Sequence, residues 1–271
     1  MNGTALDFIF YFLKLVGGTI GTFFACGLLV HLISVFFSRL MGRGSGAIFD
    51  VTSIIGTPIH ELGHAAMCKI FAHRIEEMRL WIPKPTDGVY GYVEHSYSKR
   101  NLWARFGRLF IGMGPLFSGL GVTVFVLWLC FPTLWQDYLA RSSALTAGGG
   151  FPMGEIFSSL SMLFRGVFTS FRADWLRSLL GLVVILPVSL HVSLSPQDVK
   201  ESLGSLPIVL ILLLVFALAT FWTPAAAPIL SGLAIFNLRL LSLFALIIAF
   251  SAIWLALAGL VWLVRFVIGL F

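Results

Sequence analysis

The chain's chemistry is densest in five consecutive residues, His60-Glu61-Leu62-Gly63-His64. On a helix, positions i and i+4 share one face, so the two imidazoles can bind a single zinc ion. Glu61 directly follows the first of them and can reach a water on that ion. Zinc lowers the pKa of such a water toward neutrality, and the glutamate takes its proton as hydroxide attacks a carbonyl carbon. The same carboxyl can then protonate the departing amine. His60 and His64 are therefore candidate metal ligands, and Glu61 is the candidate general base.

The surroundings give the motif its weight. Of 271 residues, 58% are hydrophobic and 11% charged, and the mean hydropathy is +0.97. A soluble domain usually carries about 25% charged residues. The 26 Phe and 8 Trp suit lipid-facing and interfacial positions. These values imply an integral membrane protein, all-α and polytopic, read as a single domain over residues 1–271. An ionisable group at bilayer depth costs about 2.5–3.5 kcal/mol on insertion scales. His60, Glu61 and His64 together need a compensating partner, and a metal ion meets that need more simply than a buried hydrogen-bonded cluster.

The net charge of +6 lies in no basic run or helix face, which argues against a nucleic-acid partner. Much of the Lys and Arg falls between residues 74 and 108, where the positive-inside rule reads it as a cytoplasmic loop. Cys26, Cys68 and Cys130 have no CxxC spacing. They are expected to be small packing residues rather than disulfides or thiolate ligands.

About six spans are expected from apolar length. The first, Leu6 to Phe37, is too long for the core of a cleavable signal peptide; it carries Lys14, which can snorkel, and His31, expected to bond a neighbouring helix. Gly42, Gly44 and Gly46 mark a short connection. A second helix, Ala47 to His73, holds the motif, with Asp50 near its start. Thr57-Pro58 looks like an N-cap with proline in the first turn, predicting a restart or kink there. Glu77 to Trp81 and Val89 to Tyr97 read as strands of a small membrane-associated β-hairpin, with the Asp87-Gly88 pair between them. A span from Leu109 to Phe131 follows, then a loop from Thr133 to Gly150 that includes Asp137 to Arg141. The aromatic segment Phe151 to Phe171 is expected in the interface. Further spans are expected at Trp175 to Leu194 and Leu206 to Trp222, and a last helix beginning near Leu240. Arg239 is expected to snorkel or pair.

The motif and its continuation, His60-Glu61-Leu62-Gly63-His64-Ala65, resemble the active-site helix of the site-2 protease family of intramembrane zinc metalloproteases. Gly91-Tyr92-Val93 is similar to the glycine-tyrosine-valine on that family's hairpin. Gly114-Pro115-Leu116 is similar to the motif opening its next core helix, with Ser118 near the place of the family's asparagine. Ser195-Pro196-Gln197-Asp198 is the best match to its aspartate segment, with Gln197 and Val199 in place of the family's Leu and Gly. The resemblance covers roughly residues 47–203, the implied protease core, with 1–46 and 204–271 as flanking helices.

Catalytic zinc typically has three protein ligands and one open position. Asp198 is the favoured third ligand. His191 is the alternative, or else an outer partner: it lies on the same helical face but about 10.5 Å away at 1.5 Å per residue. Both can bind one ion only if Pro196 breaks the helix between them. Glu94 and His95 on the hairpin are remoter candidates for that ligand and read better as solvated loop residues.

A cytoplasmic 74–108 segment places the site toward the cytoplasmic side of a cell membrane, with Asp198 in the same leaflet as the histidines. The expected activity is zinc-dependent endopeptidase cleavage of a membrane-spanning substrate, partly unwound and held as a strand against the hairpin. The alternative is a zinc-binding membrane protein without proteolysis, a transporter or scaffold, which the intact Glu61 disfavours. A lipid or small-amide hydrolase would use the same residues.

Overall fold

The first helices show why so apolar a chain stays regular. In the computed structural model, which describes residues 3–42, 44–86, 88–144 and 153–268, Thr4 opens α1 (Ala5–Val16) with a reciprocal cap to Asp7. One wider turn at Gly17–Gly21 leads into α2 (Thr22–Met41). Together they form one apolar rod of 37 residues. Gly42 turns the chain at φ +55°, a conformation glycine adopts without Cβ strain.

The central helix, α3 (Gly44–Ile70), packs against the helices α5 and α8 described below. It takes Gly44 and Gly46 into the helix rather than leaving them in a connection. It also runs unbroken through Pro58, where a restart was expected. The proline removes one backbone bond, which a helix of 27 residues held on several sides tolerates. Its end comes at Ile70, where Ala72 takes a left-handed conformation at φ 57°. The His73 amide then donates back to the Cys68 carbonyl at 2.8 Å, closing the helix end.

The hairpin is present with shifted strands. β1 (Arg74–Arg79) pairs antiparallel with β2 (Tyr92–Ser96), Arg79 opposite Tyr92 and Ile75 opposite His95, with an irregularity between Ile75 and Glu77. Trp81 falls outside β1 because its indole N–H donates to Ser53 Oγ on α3 at 3.0 Å. Gly88 sits at φ +78°, and Asp87 lies outside the described residues.

The span expected at Leu109 to Phe131 is two helices, α4 (Leu102–Gly112) and α5 (Gly114–Cys130), bent by 58°. Asn101 caps α4 through the Trp103 and Ala104 amides, and Pro115 in the first turn of α5 forbids a continuous ladder. The loop expected from Thr133 is instead a helix, α6 (Pro132–Ala144). Proline fits a first helical position, and Leu134 and Tyr138 bury one face at helical spacing against Leu163 and Val167. The latter pair belong to α7 (Met153–Ala173). Gly148 to Gly150 and Phe151 lie outside the described residues.

α8 (Trp175–His191) starts at an Asp174 cap, and α9 (Pro196–Leu203) follows at a bend of 66°. α10 (Leu206–Thr220) leads to α11 (Ala226–Val267). The last helix thus begins well before Leu240: Pro228 falls in its first turn, where a proline is tolerated, and Gly232 does not interrupt it.

Leu109, Met113 and Leu116 meet Val188, Val192, Phe244, Ile247 and Val30 in the core that clamps the bends in place. Large apolar side chains such as Leu6, Phe10, Leu180, Ile211 and Leu260 point outward instead. Among the described residues two helices are long and apolar enough to cross a membrane, Ala5–Met41 and Ala226–Val267, or up to four if each bent pair counts as one span. The fold is mostly helical with one small two-stranded sheet.

Candidate metal centre

Helical spacing on α3 puts His60 and His64 side by side, and the bend between α8 and α9 brings Asp198 to them. His64 Nε2 lies 3.2 Å from His60 Nε2 and 3.1 Å from Asp198 Oδ1, while His60 Nε2 lies 3.7 Å from Asp198 Oδ2. Ligands held about 2.0–2.1 Å from a tetrahedral zinc are about 3.3 Å from one another. The three separations bracket that value, so His60, His64 and Asp198 could hold a metal ion as they stand.

The outer nitrogens decide the charge this site accepts. His60 Nδ1 is 2.7 Å from the His191 carbonyl oxygen, and His64 Nδ1 is 2.7 Å from the Ile111 carbonyl oxygen. A carbonyl only accepts, so each Nδ1 carries a hydrogen, and in the neutral imidazole each Nε2 then turns a lone pair inward. Two lone pairs and a carboxylate oxygen therefore converge within a few ångströms. Such a set favours a cation among its members, and a divalent ion would satisfy all three at once.

Both carbonyls lack the regular helical donor four residues on. In an uninterrupted helix the Ile111 carbonyl would accept from residue 115, but Pro115 has no N–H. The His191 carbonyl closes α8, and the Ser195 amide that might have reached it donates to Asp198 Oδ2 at 2.7 Å. The negative ends of the α4 and α8 dipoles thus both abut the imidazoles, a further bias toward bound cations. Asp198 is buried, and its amide returns a bond to Ser195 Oγ, so one residue closes the α9 cap and faces the histidines.

Glu61 is also buried and lines the same cavity as His60, His64 and Asp198, whose volume is ≈ 860 Å³. The far wall is the hairpin, with Gly91, Tyr92, Val93 and His95. Gly91 lies so close to α3 that a Cβ there would stand 2.7 Å from Thr57 Cγ2 and 3.0 Å from Glu61 Cγ. Glycine at this position lets the strand reach the general-base candidate. Among the described residues, one edge of β2 is paired, with β1.

The His191 side chain stands apart from the three donors. Its Nδ1 donates to the Pro187 carbonyl at 3.0 Å, its ring packs on Phe49, and its Nε2 is buried without a partner among the described residues. The residue reaches the site through its main chain, which residue-type reasoning could not have found. Asp50 accepts from the Tyr90 hydroxyl at 3.0 Å, and Arg239 donates to the Ser142 carbonyl at 3.0 Å. His31 lines the cavity. Glu94 is exposed, in keeping with a solvated position.

His95 is only partly exposed. It lies half-buried against His73, 3.0 Å between the Nδ1 atoms, with Cys68 beside them. Burial, helped by the neighbouring His73 and Arg108 and opposed by Glu201, pushes its pKa below the usual imidazole value. No sequence spacing announces this grouping, because the hairpin fold creates it. Comparison of the chain with protein-family models, with curated proteins and with solved structures returns no match.

Proposed function

We propose that this chain is a zinc-dependent endopeptidase of the membrane, acting on peptide bonds of membrane-spanning segments. The observation that carries the reading is the convergence of His60, His64 and Asp198 beside Glu61, on the wall of a cavity edged by β2. The resemblance of four separate segments to the site-2 protease family supports it, and so do the outward-facing apolar side chains, which suit lipid contact. We read the rod Ala5–Met41, the long α11 and the bent pairs as membrane-embedded, with α3 and its polar motif sealed among them. The basic hairpin segment supports a cytoplasmic location for the open side of the cavity.

A zinc ion bound there would polarise both a water and the carbonyl that the water attacks. His60 and His64 would hold it through Nε2, with each Nδ1 already turned to the His191 or Ile111 carbonyl. Glu61 takes the proton of the attacking water as the new C–O bond forms. It gives that proton to the nitrogen as the C–N bond breaks, so the departing amine leaves neutral. An extended substrate added to the free edge of β2 would run past Gly91 and Tyr92 toward Glu61.

The test is cleavage of a reconstituted transmembrane peptide by the purified protein in lipid. Wild type should cut it, chelation should stop the reaction, and zinc should restore it. A wild-type protein that holds zinc yet cuts no membrane-spanning or extended peptide would favour the non-proteolytic reading.

A further inference from the structure

A second group of donors lies outside the proposed catalytic triad of ligands. Cys68, His73 and His95 come from the end of α3, the left-handed turn behind it, and β2. One donor atom from each lies within 4.8 Å of the others. Cys68 and His73 are buried, and His95 is half-buried. We propose that this trio is a second metal site, selective for a borderline-soft cation such as zinc, and that it fastens the hairpin to the helical core.

The turn at Ala72 folds His73 back over Cys68, through the bond from its amide to the Cys68 carbonyl. The His73 ring is then oriented from outside: Nε2 donates to the Ala104 carbonyl on α4 at 2.9 Å, and Tyr97 stacks on its face. With Nε2 committed as a donor, Nδ1 offers a lone pair toward His95 and Cys68. This repeats the logic of the first site, where a carbonyl fixes one nitrogen and leaves the other for the ion. The donor chemistry differs, however. A thiol joins two imidazoles, a combination that favours zinc over hard cations such as calcium or magnesium. On binding, the Cys68 thiol loses its proton to water and the sulfur becomes the anionic ligand.

The site has a mechanical meaning because of where His95 sits. Its strand carries Tyr92 and Val93, which wall the large cavity, while Cys68 belongs to the helix that bears His60 and His64. An ion here would tie that wall to that helix. The rival arrangement needs no ion: the His95 Nδ1–H would simply donate to the His73 lone pair, and Cys68 would remain a thiol.

The full chain, purified in detergent and loaded with cobalt(II), separates these two. A thiolate on cobalt gives a charge-transfer absorption in the near ultraviolet that a site built of His60, His64 and Asp198 cannot produce. We expect that band in wild type and in His64→Ala, and its loss in Cys68→Ser and His73→Ala. Bound metal should fall from about two to about one per chain in each of these variants. Because a core variant could misfold, the wild-type protein also decides the matter alone: zinc-edge X-ray absorption should show sulfur at about 2.3 Å. Absence of the sulfur shell and of the cobalt band in wild type overturns the proposal, as does a band that survives Cys68→Ser. Neither outcome touches the first site, whose occupancy is read from the metal lost in His64→Ala.

Discussion

Gly63 and Gly114 touch backbone to backbone where α3 crosses α5. A Cβ on Gly114 would stand 2.7 Å from the Gly63 carbonyl carbon and 2.8 Å from the His64 amide nitrogen, and one on Gly63 would strike the Gly114 carbonyl oxygen. The first glycine sits between Glu61 and His64 and the second opens the next helix. Their contact fixes how near His64 comes to the Ile111 carbonyl three residues before Gly114.

Gly63→Ala and Gly114→Ala should therefore disturb the metal centre without removing a ligand. Overpacking at a tight crossing costs about 1–3 kcal/mol, read as a lower unfolding midpoint together with reduced metal content. Gly121→Ala on the same α5 is the control, since a Cβ there meets nothing. It should be neutral or slightly stabilising. Equal behaviour of the three variants would remove the close crossing as the cause.

Glu61→Gln should keep metal and fold, because Glu61 is not among the grouped donors. Its amide cannot take a proton from water, so hydrolysis should fall by about 10²–10⁴-fold. Metal content and peptide turnover measured on one preparation check both halves, and near-normal turnover would place the base elsewhere.

Asp198 serves two ends, and two substitutions separate them. Asp198→Asn keeps an acceptor for the Ser195 amide, while Asp198→Ala leaves that amide without one. Both should weaken metal binding through loss of the carboxylate. Only the alanine variant should also lose cap stability, about 0.5–2 kcal/mol, visible as a lower midpoint in metal-free protein. His191→Ala should retain the metal, because the carbonyl that His60 uses belongs to the main chain. Metal loss in His191→Ala with retention in both Asp198 variants would reverse the ligand assignment.

Tyr90 gives a pH signature away from the metal. Burial, then its hydrogen bond to Asp50, pushes its phenol up to about 12 from an ordinary value of 10.0. Folding thus favours the neutral phenol. The contribution is fully present below pH 10 and is lost as pH rises through about 12. Tyr90→Phe should lower stability modestly near neutrality, and its deficit relative to wild type should shrink above pH 10. A deficit independent of pH across that window would count against the bond.

Where the sequence was informative, the cause was local. His60 and His64 share a face because of helical period alone, and the hairpin followed from two β-prone runs around a turn. Asp198 was reached through the resemblance of its segment, since nothing in spacing links residue 198 to residue 64. Strand limits were misread because Trp81 is drawn to Ser53, a contact no local pattern encodes. The helix α6 was read as a loop because its composition is polar, yet Leu134 and Tyr138 bury against α7. The grouping of Cys68 with His73 and His95 is tertiary throughout. It depends on a left-handed Ala72, a conformation that the residue type does not advertise.

The double bond pattern between Ser195 and Asp198 has one more consequence, which concerns when disorder is given up. A free aspartate must surrender its rotamer freedom each time it captures an ion. Here the carboxylate is already immobilised by the α9 cap, with Oδ2 on the Ser195 amide and Oδ1 turned to His64. The entropy loss belongs to the folding of the chain and is not repeated at each encounter with metal. The emptied centre therefore keeps its shape, so a chelated protein should refill rapidly and reversibly instead of having to refold around the ion.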